Sequence, residues 1–338
     1  MPWSLVIGDD GGEVRLLGFD AGRRRSRLIL KQRTATIGVS VIEIQETTVI
    51  VAAAHDGSIA RWSETSDAVY GAQVFVAGPV TSEEACLGPP GPRILIGTAV
   101  GQLLVCDAVT FEVVAVRKLT SGGIHALLSG NADDSSLVVA GHDDGSITIW
   151  DIDHMNVAGP PILAHPRAVR GLAWVPWRDR HILASASDDG SIRLWDLQNR
   201  QAWGRPLVGH QGPVRALTSI NTPHGPIIAS GGNDRTVRFW HPGSQAVEPY
   251  PALEHASGVR AVLLGVRGKL LEVYSGGDDG VLVATTLRMT STPRETLAAN
   301  DLSRMERMCD APVRAIQRLG TQRLAVLTTR SVSFLDPP

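Results

Sequence analysis

Cysteine is scarce and scattered: Cys86, Cys106 and Cys309 are the only three among 338 residues. They form no CxxC pair and are odd in number, which excludes a disulfide framework and points to reduced, mostly buried thiols. Lysine is equally scarce, 3 residues against 29 arginines, a skew that suits a GC-rich genome at least as well as any function. Neither sign of charge dominates. Lys plus Arg total 32 and Asp plus Glu 34, a net charge of −2, so a surface built to grip nucleic-acid phosphates is not expected. Apolar runs such as Val49 to Ala54 fall far short of the roughly 20 residues that a membrane-spanning helix needs. The N-terminal stretch MPWSLVIGDDGGEVRLLG has no charged leader and acquires two Asp by position 10, unlike a secretory signal. A soluble, cytoplasmic chain without membrane contact is the expectation. Glycine and proline, by contrast, are plentiful at 35 and 20, which predicts many turns rather than long helices.

Those turns recur at a fixed interval. The segments HDGSIARW (55–62), HDDGSITIWD (142–151), SDDGSIRLWD (187–196) and GNDRTVRFWH (232–241) share one pattern, with weaker copies at 10–20, 99–107, 277–286 and 328–336. Aligned on the turn, the copies fall at Gly12, Gly57, Gly101, Gly145, Gly190, Arg235, Gly280 and Arg330, in steps of 45, 44, 44, 45, 45, 45 and 50 residues. A repeat of this length must be recognised before any other reading of the fold. Each copy is built of strands. Ser191 to Trp195 alternates apolar and polar residues with period 2, the mark of a strand with one buried face. The Asp-Gly pairs at 56–57, 144–145, 189–190 and 279–280 favour tight hairpins. An apolar strand precedes most hairpins (VRGLAWV at 169–175, VRALTSI at 214–220, VRAVLLGV at 259–266, VRAIQRL at 313–319), with earlier equivalents at 37–44, 81–87 and 124–130. A fourth, variable strand fits between, as in PPILAH (160–165) and RPLVGH (205–210). Four strands per ~45-residue unit predict an all-β fold of propeller blades.

With Trp150-Asp151, Trp195-Asp196 and Gly209-His210, the chain resembles the WD40-repeat β-propeller family, as a bacterial-type WD-repeat protein. The likeness covers residues 1–338 as one domain and is most specific from 124 to 241. It implies a hydrogen-bonded set in each full blade. One set would join His165, Ser185 or Ser187, Asp189 and Trp195; the next, His210, Ser230, Asp234 and Trp240. Three copies depart from the pattern, with Cys106, Thr285 and Leu335 where the Trp would stand. Those blades are expected to rely on apolar packing. Residues 286–303 break the register and read as an irregular inserted loop. Eight hairpins but seven inner strands leave the blade count open. Seven blades, one drawn from both chain ends, is favoured, with eight as the alternative.

Catalytic patterns are not found. The Asp residues of the DDG turns recur because hairpins recur and lack a Ca²⁺-loop spacing. His125, His142 and His181 show no partners at metal-ligand spacing. No Gly-rich phosphate loop, GxSxG elbow or HExxH occurs, and Cys86 and Cys309 read as small buried hydrophobes. The inner strands read as small and aliphatic residues plus Arg, with no carboxylate pair in register. No cofactor or metal is expected.

The resemblance instead directs attention to the top rim of the propeller, where the family docks its partners. There the residue after the inner-strand Val is Arg170, Arg215, Arg260 and Arg314, with His125, Thr81 and Gly38 at the matching earlier positions. The residue before the turn Asp is exposed there too: His55, Asp143, Asp188, Asn233 and Asp278. Arginine suits bidentate recognition of carboxylate or phosphate, so the arc would bind an acidic or phosphorylated peptide. Alternatively each Arg pairs with a neighbouring Asp, and a charged rim can do both. The implied function is a non-catalytic scaffold for a protein or peptide partner. The alternatives are a propeller-type hydrolase or lyase with a central-channel site, or the sensor domain of a larger signalling protein.

Overall fold

The computed structural model describes the backbone from Trp3 to Leu335 apart from short breaks, the longest being 244–251 and 290–297. Side chains are described chiefly for residues 51–61, 76–86, 91–118, 122–130, 136–243 and 252–289. Every regular element among the described residues is a strand, and the strands form eight antiparallel sheets in chain order. The first sheet is β1 (Trp3–Gly8), β2 (Glu13–Asp20) and β3 (Arg23–Lys31). The second holds β4 (Thr36–Ile44), β5 (Thr47–Ala54), β6 (Ser58–Ser63) and β7 (Val69–Gln73). The third holds β8 (Val80–Gly88), β9 (Gly91–Thr98), β10 (Gln102–Asp107) and β11 (Val113–Lys118). In the fourth, β12 (Ile124–Ala132), β13 (Ser135–His142) and β14 (Ser146–Asp151) are followed by the two-residue strands β15 (Asn156–Val157) and β16 (Ile162–Leu163). The fifth repeats this with β17 (Val169–Trp177), β18 (Arg180–Ser187), β19 (Ser191–Asp196), β20 (Gln201–Ala202) and β21 (Leu207–Val208). The sixth is β22 (Val214–Thr222), β23 (Gly225–Gly232), β24 (Thr236–Trp240) and β25 (Leu253–Glu254). The seventh is β26 (Val259–Arg267), β27 (Leu270–Gly277), β28 (Val281–Arg288) and β29 (Ala298–Met308), and the last is β30 (Val313–Leu319), β31 (Arg323–Thr328) and β32 (Val332–Leu335).

Among the described residues there are eight sheets and seven inner strands. Six sheets have four strands or more, and each chain end supplies three strands, with β1 lying beside β32. The contacts divide the chain into two compact units, Met1–Ile162 with Arg318–Asp336, and Leu163–Gln317 with Pro337–Pro338.

The hairpins turn where the Asp-Gly pairs stand. Gly57, Gly101, Gly145, Gly190 and Gly280 all take φ between 77° and 85°, a region closed to most L-residues. Arg235 occupies the same place at φ 68°, so the sixth hairpin keeps the geometry and carries the strain of a side chain there.

Within each unit, neighbouring sheets stack face to face. Phe239 is fully buried and clusters with Val237, Val259, Val262, Leu271 and Val273 across the sixth and seventh sheets. Val175, Ile182, Ile192 and Leu194 do the same with Val214, Ile228 and Trp240 across the fifth and sixth. In the other unit, Ile42, Val51 and Ile59 of the second sheet pack on Ile94, Ile96 and Leu104 of the third. This stacking corrects the expectation of a half-buried strand at 191–195. Ser191, Ile192, Leu194 and Trp195 are all buried and Arg193 alone is half-exposed, because a strand between two stacked sheets is covered on both faces.

The segment 286–303 is also corrected. Residues 286–288 complete β28, and 298–303 begin β29, which pairs Val281↔Met308 through Thr286↔Ser303 and, past an irregularity, Arg288↔Ala298. The polar sequence AANDLS has little strand propensity of its own, and the free edge of β28 supplies hydrogen bonds that override it. Residues 290–297 lie outside the described set.

Candidate functional site

The implied blade sets form as hydrogen-bonded chains. His165 places Nδ1 3.0 Å from Asp189 Oδ2 and Nε2 2.8 Å from Ser185 Oγ, while Trp195 Nε1 donates to the same hydroxyl at 2.9 Å. In the next blade His210 Nδ1 lies 2.9 Å from Asp234, its Nε2 lies 2.7 Å from Ser230 Oγ, and Trp240 Nε1 donates to Ser230 at 2.8 Å. One proton arrangement satisfies every member. Neutral His donates from Nδ1 to the carboxylate, Ser donates to Nε2, and the indole N–H donates to Ser. Burial, the largest influence, pulls both imidazoles below their ordinary pKa and keeps them neutral, against the opposing pull of Asp189 and Asp234. Ser185 therefore joins the set, and Ser187 does not. Ser187 Oγ instead donates to the Arg167 carbonyl at 3.1 Å and accepts from the Asp189 amide.

The blade with Thr285 in place of Trp is not purely apolar, as expected of it, because His255 Nε2 still meets Ser275 Oγ at 2.7 Å. The fourth sheet shows the opposite loss. Trp150 is buried, yet its Nε1 has no hydrogen-bond partner. The register explains this: Leu183↔Trp195 matches Val138↔Trp150, which puts Ala140 where Ser185 stands. His142 bonds Thr148 Oγ1 at 2.8 Å instead. Ala140→Ser is expected to raise stability by about 1 kcal/mol, a rise of a few degrees in the melting temperature, by giving the indole an acceptor. A fall in melting temperature would show that Ala140 has no room for the hydroxyl.

The rim positions share a backbone cause. In six sheets the pairing between the inner strand and its neighbour skips one residue: Ile37, Thr81, His125, Arg170, Arg215 and Arg260. A bulge of this kind leaves the extra residue outside the ladder and re-aims its side chain. In the second sheet the bulged residue is Ile37, which corrects the assignment of Gly38. The opposing residues are held alike, since the amides of Asp143, Asp188, Asn233 and Asp278 bond the carbonyls of Gly123, Ala168, Pro213 and Gly258 at 2.8–3.0 Å.

Within the second unit, three guanidiniums face two carboxylates. Arg170 grips Asp188 through Nε at 3.0 Å and Nη2 at 2.9 Å, both on Oδ2. Arg260 Nε donates to Asp278 Oδ1 at 2.8 Å. Arg215 reaches back to the preceding blade, with Nη1 2.9 Å from Asp188 Oδ1. That contact is close but not aligned as a hydrogen bond, and both Asp188 Oδ1 and Arg215 Nε are buried without a hydrogen-bond partner. Burial, followed by Arg170 and Arg260, pushes the Arg215 guanidinium below its ordinary pKa, with Asp188 and Asp278 opposing. In the other unit, His125 pairs with Asp143, whose Oδ2 also accepts the Gly123 amide at 3.1 Å. Arg314 and Cys309 have side chains outside the described residues.

Glu83 and Glu84 on β8 were missed in the sequence, where the inner strands read as free of paired carboxylates. Burial raises Glu83 to about 8 and Glu84 to about 7. Consecutive strand residues point to opposite faces, so the two carboxyls do not form a facing dyad. Glu83 is bonded by Ser40 of the second sheet, and Glu84 Oε1 accepts from Ser129 Oγ of the fourth at 3.0 Å. The strand at 81–87, TSEEACL, carried the signal, namely two adjacent acids on an inner strand flanked by neighbouring sheets. Cys86 and Cys106 are buried free thiols, with Cys106 pushed up to about 11 by burial. Among the described residues no group of three His, Cys, Asp or Glu could hold a metal ion.

Residues 115–151, 161–196 and 204–241 match the family model described as WD domain, G-beta repeat. No curated protein matches the chain. Among solved structures the chain is similar to the computationally designed Ika8 protein, at 19% identity over 99% of this chain and 94% of that one, with a TM-score of 0.66. It is also similar to a chain in the crystal structure of the mitotic checkpoint complex, at 18% identity over 85% of this chain and 86% of that one, with a TM-score of 0.70. Such identities speak to the fold, which is a β-propeller of four-stranded antiparallel blades. Three consecutive repeats between 115 and 241 are therefore WD40 repeats, and two of them hold the complete His–Ser–Asp–Trp chain.

Proposed function

We propose that the protein is a non-catalytic scaffold that docks an acidic segment of a protein partner on the rim carrying Arg170, Arg215 and Arg260. WD40 propellers bind protein partners, and one structural neighbour belongs to a protein complex. The observation that carries the reading is the state of Arg215. Arg170 already holds Oδ2 of Asp188 through two nitrogens, and Arg260 holds Asp278. Arg215 is left with an unaligned contact and an unpartnered Nε. A partner carboxylate would satisfy that guanidinium through aligned, charge-assisted bonds, and Arg at such sites carries much of the binding energy of protein interfaces. The arc also has three cations to two anions, so it favours an acidic partner before contact is made.

The test is an affinity pull-down comparing the wild-type protein with an Arg215→Glu, Arg260→Glu variant whose fold is checked by circular dichroism. A protein captured by the wild type and lost by the folded variant is the expected result. Equal capture by both would remove the rim as the docking site.

A further inference from the structure

Arg215 is held like the rim arginines on either side of it but lacks the acid that each of them has. Arg170 bonds Asp188 and Arg260 bonds Asp278, in both cases 18 residues further along the same sheet. His125 pairs with Asp143 at the same spacing in the other unit. The residue at that spacing from Arg215 is Asn233, a neutral amide. The backbone is not the cause. The Asn233 amide bonds the Pro213 carbonyl at 2.8 Å, as Asp188 bonds Ala168 at 3.0 Å and Asp278 bonds Gly258 at 2.9 Å. Position 233 is therefore placed as the two acids are, and only its chemistry differs.

The missing acid leaves a trace on one atom. Arg170 and Arg260 each donate from Nε to the carboxylate of their own sheet, at 3.0 and 2.8 Å. In Arg215 it is Nε that has no partner, while Nη1 reaches back to Asp188. The Arg215 side chain keeps 22% of its surface exposed and Asn233 is exposed, so an anion can enter from the rim. The charges acting on Arg215 are those of Arg170, Arg260, Asp188 and Asp278. Three cations thus stand with two anions, and one further negative charge balances them. A carboxylate supplies one. A phosphate group carries about −1.5 to −2 near neutral pH and would set its excess against Asp188 and Asp278. We propose that Arg215 is the subsite for a single Asp or Glu side chain of the partner, kept open because position 233 is Asn and not an acid. This rests on the rim reading above and names the group that the rim selects.

Fluorescence anisotropy at low ionic strength tests this with two labelled Gly-Ser peptides, one carrying glutamates and the other phosphoserines at equal total charge. Asn233→Asp supplies the acid from within the protein. It should weaken binding of the glutamate peptide about tenfold or more, roughly 1.4 kcal/mol for each factor of ten, without lowering the melting temperature. Asn233→Ala leaves the place open and should bind nearly as the wild type does. Gln211→Glu adds the same charge at an exposed position on the loop before β22 and measures general repulsion, which should be smaller. The subsite is overturned by an Asn233→Asp variant that binds no worse than Gln211→Glu or melts earlier, or by an Asn233→Ala variant that binds as weakly. Tighter binding of the phosphoserine peptide to the wild type overturns the carboxylate preference. The rim reading fails separately. It falls with the subsite if the wild type binds neither peptide, or if Arg215→Glu, Arg260→Glu binds the glutamate peptide unchanged. If that variant loses the peptide and Asn233→Asp keeps it, the subsite alone is wrong.

Discussion

Trp195→Ala is expected to lower the unfolding free energy by about 3–5 kcal/mol, the usual cost of a large-to-small change at a buried aromatic. Two effects act together. Removing a side chain that is 6% exposed opens a cavity between stacked sheets. It also takes from Ser185 Oγ the donor that sits 2.9 Å away. Trp195→Phe separates the two, since it keeps most of the ring volume and loses the N–H. Its cost should fall nearer 1 kcal/mol. The same change at Trp150 should be milder still, because that indole N–H has no acceptor to lose. Denaturant unfolding of the three variants checks the order. Equal losses at Trp195→Phe and Trp150→Phe would show that the Ser–Trp bond adds nothing measurable.

The second large effect is expected as pH rises through the range in which two buried carboxyls ionise. Glu83 and Glu84 have folded pKa values raised by burial to about 8 and about 7, above the ordinary carboxylate range. A group that holds its proton more tightly when folded contributes stability that is complete below its unfolded pKa and lost as pH rises through the folded one. Stability from this pair should therefore decline between about pH 4.5 and pH 8, by a total of order a few kcal/mol. Glu83 dominates, because its Oε1 is buried without a partner and the charged form has only Ser40 to accept from. Glu83→Gln should flatten the decline between about pH 5 and pH 8 in denaturant titrations. A slope unchanged in that variant would place the ionisation elsewhere. The buried His165 and His210 act with the opposite sign. Their folded pKa values are depressed, so their contribution is lost as pH falls below the ordinary imidazole value.

Much of this molecule was legible before any coordinates. A ~45-residue period, Asp-Gly hairpins and the Trp-Asp endings led to four-stranded blades. The inner strands at 169–175, 214–220 and 313–319 lie within β17, β22 and β30. The two His–Ser–Asp–Trp chains were foreseeable too, because the resemblance to WD40 repeats implies them at the matching positions of each copy. Three features were not legible, because each depends on contacts between strands far apart in the chain. The choice of Ser185 over Ser187 depends on strand register, since both residues point to the same side and only Ser185 lies beside the indole. The extended run of β29 came from the open edge of β28 rather than from its own polar sequence. The raised pKa values at 83–84 depend on contacts with Ser40 and Ser129 in the two flanking sheets, which one strand's sequence does not reveal.

By itself, then, the sequence determined the repeat, the hairpins and the four-stranded units, all of which follow from local spacing and turn chemistry. Tertiary structure alone decided which partner each polar side chain meets. It set Arg170 and Arg215 on one shared Asp188, left Trp150 without an acceptor, and drove Glu83 and Glu84 towards neutrality. Those outcomes depend on distance, burial and register between strands far apart in the chain, and these exist only once the sheets have stacked.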